Sequence, residues 1–76
     1  MKLLDSKECH IMFGKYIKEI RESKGINQRE IAEKMGVSQV FISYIERGER
    51  DVDLAFAFRL CDAVGTDMRD FMNKCL

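Results

Sequence analysis

The side chains of this 76-residue chain best suited to covalent or metal chemistry are three cysteines, one histidine and thirteen carboxylates. Their spacing assembles no site. A zinc centre needs about four nitrogen or sulfur ligands in closely spaced groups. Cys9, Cys61 and Cys75 are widely separated, no pair has Cys-x-x-Cys spacing, and His10 is the only histidine. No metal and no cofactor is expected. The same residues offer no nucleophile–base pair at recognisable spacing, so the chain is not expected to be an enzyme. Cys9 and Cys61 fit small core residues of a reducing compartment, and Cys75, near the chain end, is the cysteine open to redox chemistry.

A second set of polar residues has a spacing with clear consequences. Asp5 with Glu8 (or else Ser6), Asn27 with Glu30, Ser38, Asp53, and Asp67 with Asp70 are placed to accept from the free N–H groups of a helix's first turn. Each precedes apolar residues at helical intervals. Helix 1 is expected over about 6–24, with Cys9, Phe13, Tyr16, Ile17 and Ile20 on one face and Gly14 inside at a cost of up to about 1 kcal/mol against alanine. Helix 2 follows Asn27, turns Ile31, Ala32 and Met35 inward and stops at Gly36. Helix 3 runs from its cap Ser38 to Gly48 with Phe41, Ile42 and Ile45 as its apolar side. Helix 4 follows Asp53, with Leu54, Ala57, Phe58, Cys61 and Val64 as its face, and closes at Gly65. Helix 5 carries Met68, Phe71, Met72 and Cys75. Proline is absent, where average usage of about 5% gives roughly four, and no stretch alternates as a strand does. The expected fold class is all-α, a compact five-helix arrangement forming one domain over residues 1–76.

Composition narrows the function classes. The chain is 46% apolar with thirteen basic and thirteen acidic residues, which argues against disorder. No run of about 18 apolar residues suits a membrane span. Met1-Lys2-Leu3-Leu4 begins as a signal peptide does, but Asp5-Ser6-Lys7-Glu8 interrupts it. No membrane partner and a cytoplasmic location are expected. Residues 1–25 hold six basic and four acidic groups, residues 26–50 four and four, and residues 51–76 three and five. Positive charge therefore favours the N-terminal half.

Two short helices joined through Gly36-Val37-Ser38 are a helix-turn-helix. Ala32 falls where the helices cross, Gly36 where the turn needs a positive φ, and Ile31, Met35, Val37, Ile42 and Ile45 where anchors are needed. The stretch 26–48, INQREIAEKMGVSQVFISYIERG, resembles the helix-turn-helix core of the phage-repressor-like family, with the core proper at 27–47. That family includes phage repressors, xenobiotic-response-type regulators, restriction–modification controller proteins and some antitoxins. The resemblance extends over roughly residues 9–72, and the segment IERGERDVDL at 45–54 is most like the controller and small phage-regulator branch.

The resemblance implies a sequence-specific transcriptional regulator that places helix 3 in the major groove of double-stranded DNA. Base contacts then fall to Gln39, Val40, Ser43 and Tyr44. Gln39 suits adenine N6 and N7, and Val40 a thymine methyl; Tyr44 reaches either a base or a phosphate. Phosphate contacts fall to Asn27, Gln28, Ser38, Arg47 and Arg50. Arg21 and Glu46 match a partly buried ion pair joining helices 1 and 3. Helix 5 and the C-terminus, 67–76, carry more apolar surface than one small core needs. Phe71, Met72 and Leu76 are therefore the expected homodimer interface, on a pseudo-palindromic operator with half-sites roughly 34 Å apart. The alternative is an antitoxin-type or other interaction module that also binds DNA, using Met1–His10 or Asn73–Leu76 for a protein partner. RNA binding lacks the aromatic strip that single strands require.

Overall fold

Capping side chains set where the helices begin. The computed structural model describes residues 5–75, and over them the elements are α1 Ser6–Ser23, α2 Gln28–Met35, α3 Gln39–Glu46, α4 Leu54–Val64 and α5 Met68–Cys75. Asp5 and Asn27 head reciprocal capping boxes with Glu8 and Glu30. Ser38 Oγ accepts from the Phe41 N–H at 3.1 Å, Asp53 from that of Phe56 at 2.8 Å, and Asp67 from that of Asp70 at 2.8 Å. Each satisfies an N–H group that the helix itself cannot. Gly36 ends α2 at φ 70°, a conformation that costs a residue with a Cβ. Among the described residues there is no strand, and no helix is long and apolar enough to cross a membrane. The expectations placed on Met1–Leu4 and Leu76 lie outside the described residues.

The five helices share one core. Ile17, Ile31, Ile42, Ile45, Leu60, Cys61 and Val64 are essentially sealed from solvent. They come from α1 through α4, so no single helix can shift without opening the others' contacts. Burial pushes the Cys61 thiol up to about 11, and it sits against the Met68 sulfur as a packing group. Helix α5 closes one end. Its Phe71 is 5% exposed and meets Phe13 edge-on, with centroids 5.3 Å apart and planes at 86°. Tyr16 lies alongside and donates its hydroxyl to Asp70 at 2.6 Å, so the Thr66 hydroxyl donates to Tyr16. Burial first, and the Asp70 carboxylate second, raise the Tyr16 hydroxyl to about 12. It therefore remains a donor that ties α1 to α5.

Two expectations are corrected. On α4 the buried stripe is Ala57, Leu60, Cys61 and Val64, whereas Leu54 and Phe58 are 66% and 52% exposed. Apolar residues surround most of this helix, so periodicity alone does not choose a face. Phe71 is no protruding interface residue but part of the core, because α5 folds back onto Phe13 and Tyr16. Met72, one residue on, is 49% exposed.

Gly14 has a purpose that the sequence hides. A Cβ there would run into the backbone of α3, striking the Ile45 carbonyl oxygen and approaching the Glu46 carbonyl carbon to 3.0 Å. Its lack of a side chain lets α1 and α3 touch backbone to backbone. Gly14→Ala tests this. Helix propensity favours alanine by about 1 kcal/mol, but overpacking a closed contact costs about 1–3 kcal/mol, and a backbone atom yields less readily than a side chain. The expected result is net destabilisation, with Tm lowered by about 5 °C or more in a thermal melt. A raised Tm would show the contact to be loose.

Candidate nucleic-acid interface

Helix α3 buries one side and presents the other. Ile42 and Ile45 are within 1% of full burial. The helical repeat therefore turns Gln39, Val40, Ser43 and Tyr44 the opposite way. Val40 and Tyr44 are 60% and 42% exposed, Gln39 is exposed and Ser43 half-buried. Large apolar side chains left in water beside amides and hydroxyls form a surface with both hydrogen-bonding and methyl-contacting capacity.

A polar chain holds this surface from behind. Arg21 on α1 forks onto Glu46 of α3, with Nε to Oε2 at 2.7 Å and Nη2 to Oε1 at 2.9 Å, and its Nη1 donates to the Ile26 carbonyl at 2.8 Å. Both residues are buried, at 8% and 6% exposure. The hydrogen bonds that Arg21 donates to Glu46 are the main cause that raises its guanidinium above the ordinary value. Glu46 Oε1 also accepts from Gln28 Nε2 at 2.9 Å, and Gln28 Oε1 accepts from Gln39 Nε2 at 3.4 Å. The first residue of α3 is thus linked through the first residue of α2 to an ion pair anchored in α1.

The other expected contact residues fall into two groups. Asn27 and Ser38 lie exposed at the starts of α2 and α3, where each accepts one N–H as a cap. Beyond α3, the Arg47 guanidinium covers the Tyr44 ring at 5.0 Å and donates to Glu49 at 2.8 Å. Arg50 stands apart, over the Phe41 ring at 5.3 Å. The structure therefore gathers Gln28, Gln39, Val40, Ser43, Tyr44 and Arg47 at one surface and carries Arg50 to its edge. Sequence reasoning missed the inward role of Gln28. The available signal was the acceptor capacity of Glu46: a two-bond fork leaves carboxylate lone pairs free, and burial requires donors for them.

A helix-turn-helix family model matches residues 17–71. The chain belongs to the helix-turn-helix family. Among its relatives is the control protein C.BamHI of Bacillus amyloliquefaciens, 31% identical over 64 residues that cover 83% of this chain and 79% of that protein. Its structure is similar to that of the restriction–modification controller protein C.AhdI from Aeromonas hydrophila, with TM-score 0.76, 28% identity, and 84% and 97% of the two chains covered. It is also similar to the controller protein C.Esp1396I, solved as a tetramer with its natural 35 base-pair operator, with TM-score 0.75, 25% identity and 84% of each chain covered. These relatives are regulators rather than enzymes. This helix-turn-helix protein is a DNA-binding transcriptional regulator, and its α2 and α3 are the two helices of the motif.

The buried ion pair makes a sharp demand on stability. Arg21→Ala strands the Glu46 carboxylate away from water, a loss of about 3–5 kcal/mol, which is most or all of the stability of a domain this small. The double variant Arg21→Met, Glu46→Leu removes both charges and is expected to recover most of that loss in a urea titration. A single variant as stable as the native chain would mean that the carboxylate is rehydrated without cost.

Proposed function

We propose that the protein regulates transcription by binding a pseudo-palindromic operator in double-stranded DNA as a homodimer, with α3 of each copy in the major groove. The observation that carries this is the outward face of α3 held by the Gln39–Gln28–Glu46–Arg21 chain. A side-chain amide supported at the N-terminal end of a groove-sized helix presents paired donor and acceptor groups, which adenine matches at N6 and N7. Val40 beside it supplies a contact for a thymine methyl. Asn27, Gln28 and Ser38 supply backbone contacts at the starts of the two helices, and Arg47 and Arg50 at the far end of α3. C.Esp1396I, solved as a tetramer on its operator, supports the dimer as a step towards higher assembly.

The dimer surface follows from what the core leaves out. A groove of about 280 Å³ opens between α1, α4 and α5, lined by Phe13, Leu54, Ala57, Met68, Phe71 and Met72. Phe58 continues the apolar surface beside Asp62, Asp67 and Arg69. A two-fold interface must be complementary to itself. Apolar rims on Leu54, Phe58 and Met72, with opposite charges on Arg69 and the neighbouring aspartates, meet that requirement. The seat of the dimer is therefore the α4–α5 face, with Met72 at its edge and Phe71 beneath it as groove floor.

Selection of bound duplexes from a random DNA pool, read by sequencing, tests the whole reading. An enriched inverted repeat with half-site centres about one helical turn apart supports it; folded protein that enriches nothing refutes it. Gln39→Ala is expected to relax preference at one base position by about 1–3 kcal/mol while leaving the thermal melt near native. Unchanged preference at every position would remove Gln39 from base recognition. For the dimer, Leu54→Glu changes a side chain that is 66% exposed, at a helix start where an acid is favourable. The folded variant is expected to show the mass of one chain in light scattering where the native protein shows two. A dimer surviving this change would place the interface elsewhere.

A further inference from the structure

The loop after α3, Arg47-Gly48-Glu49-Arg50-Asp51, places two cations and two anions within five residues. Both anions have partners other than Arg50. Glu49 accepts from Arg47 at 2.8 Å, and Asp51 Oδ1 lies 3.4 Å from His10 Nδ1. His10 itself bridges α1 to the loop, with Nδ1 at 2.7 Å from the Ser6 carbonyl and Nε2 at 3.3 Å from that of Val52. Among the described residues Arg50 therefore lies between two acids and pairs with neither. Its guanidinium lies over the Phe41 ring instead, at 5.3 Å. That ring is itself braced, edge-to-face with Phe56 of α4 at 5.4 Å and 85°, and Arg59 covers Phe56 at 5.8 Å.

A contact with a ring face differs in kind from pairing with a carboxylate. A salt bridge consumes the N–H donors of a guanidinium and cancels its charge. A phenyl ring carries no formal charge and no lone-pair acceptor, so the guanidinium keeps its charge and its N–H donors for a stronger acceptor. An exposed arginine on a loop otherwise loses side-chain entropy when it is immobilised by a ligand, and pre-ordering reduces that cost.

We propose that Phe41 is a positioning residue for DNA binding: its ring, braced by Phe56, pre-orders Arg50 to donate to a backbone phosphate at the edge of the α3 surface. This rests on the DNA-binding function above. Phe41 thus acts through its contact with Arg50 as well as through its packing on Phe56, and Arg50 becomes the loop cation that reaches DNA without first breaking an ion pair.

A phosphate contact persists on any sequence, so the probe is a fluorescein-labelled random-sequence duplex, with anisotropy measured across a salt series. Phe41→Leu, Arg50→Gln and the double variant form a cycle. Each single change is expected to weaken binding about three- to ten-fold, and the double variant to be no weaker than Arg50→Gln alone. Arg50→Gln is expected to flatten the slope of log K against log salt by about 0.9. Phe41→Leu is expected to flatten it in the same direction, which a packing defect would not do. Additive losses, or a native slope in Phe41→Leu, would overturn the positioning role. Should Phe41→Leu fail to give a native melt, Arg50→Lys decides instead: it keeps the charge but not the planar face, and native affinity in that variant would also overturn the proposal. Native protein that binds no duplex refutes the DNA-binding function itself, whereas native binding with an uncoupled cycle refutes only the role of Phe41.

Discussion

The contact between α1 and α3 is the constraint on which the rest depends. Gly14 lets the two backbones meet at Ile45 and Glu46, and beside that contact Arg21 reaches Glu46 with a two-bond fork. Neither half suffices alone. Backbone contact without the ion pair leaves the rotation of α3 about its axis to apolar packing, which is tolerant of small slides. The ion pair without the close approach has no buried environment in which to be strong. Together they fix how far α3 projects and which residues it turns outward. From Glu46 the constraint passes to Gln28 and on to Gln39, so a buried charge on one side of the domain orients an amide on its surface. Buried ion pairs contribute little net stability when compared with apolar replacements; the value of this one lies in specifying a geometry.

Local rules made much of the fold legible. Every described helix begins at an acceptor side chain visible in the sequence, because an N-cap is a contact between residues two or three apart and needs no knowledge of the rest of the chain. The turn of the motif was legible for the same reason, since Gly36 must take a left-handed conformation whatever packs around it. What failed were the long-range properties. Leu54 and Leu60 are equally apolar, and only the position of α4 against α2 and α1 decides that Leu60 is buried and Leu54 is not. Gly14 looked like a mild defect in a helix because the atom it accommodates is more than thirty residues away. Phe71 was assigned to a surface because its partners Phe13 and Tyr16 lie on a different helix. On α3, Ile42 and Ile45 marked the buried side, and so the outward set of Gln39, Val40, Ser43 and Tyr44, but nothing local indicated that Gln28 would turn towards Glu46 or that Phe41 would lie under Arg50.

The charge arrangement explains how a chain with no net charge can serve a polyanionic partner. Net charge describes the field at a distance, whereas contact depends on which cations remain available. Arg21 is committed to Glu46 and Arg47 to Glu49. Lys24 caps the end of α4 by donating to the Val64 and Gly65 carbonyls, and Lys34 donates to that of Ala63. Four of the thirteen basic residues are thus engaged within the chain. A protein built this way gains less from counterion release per copy than its count of cations suggests, so in the proposed dimer discrimination rests on the α3 surface and affinity on engaging two half-sites together.

That last point ties assembly to the economy of a small domain. A chain of this length buries too little of its surface for a large stability margin. Helix α4 nevertheless leaves Leu54 and Phe58 in water, where burial against a second copy would recover the hydrophobic stabilisation that the monomer forgoes. These residues border the hollows that α5 also lines, while the buried stripe Ala57, Leu60, Cys61 and Val64 belongs to the core that α4 shares with α1, α2 and α5. In the proposed dimer one helix therefore serves two cores, one within the chain and one between copies. In that arrangement anything that strengthens the second also steadies the first, and the spacing of the two α3 surfaces would be a property of α4 rather than of a flexible connection.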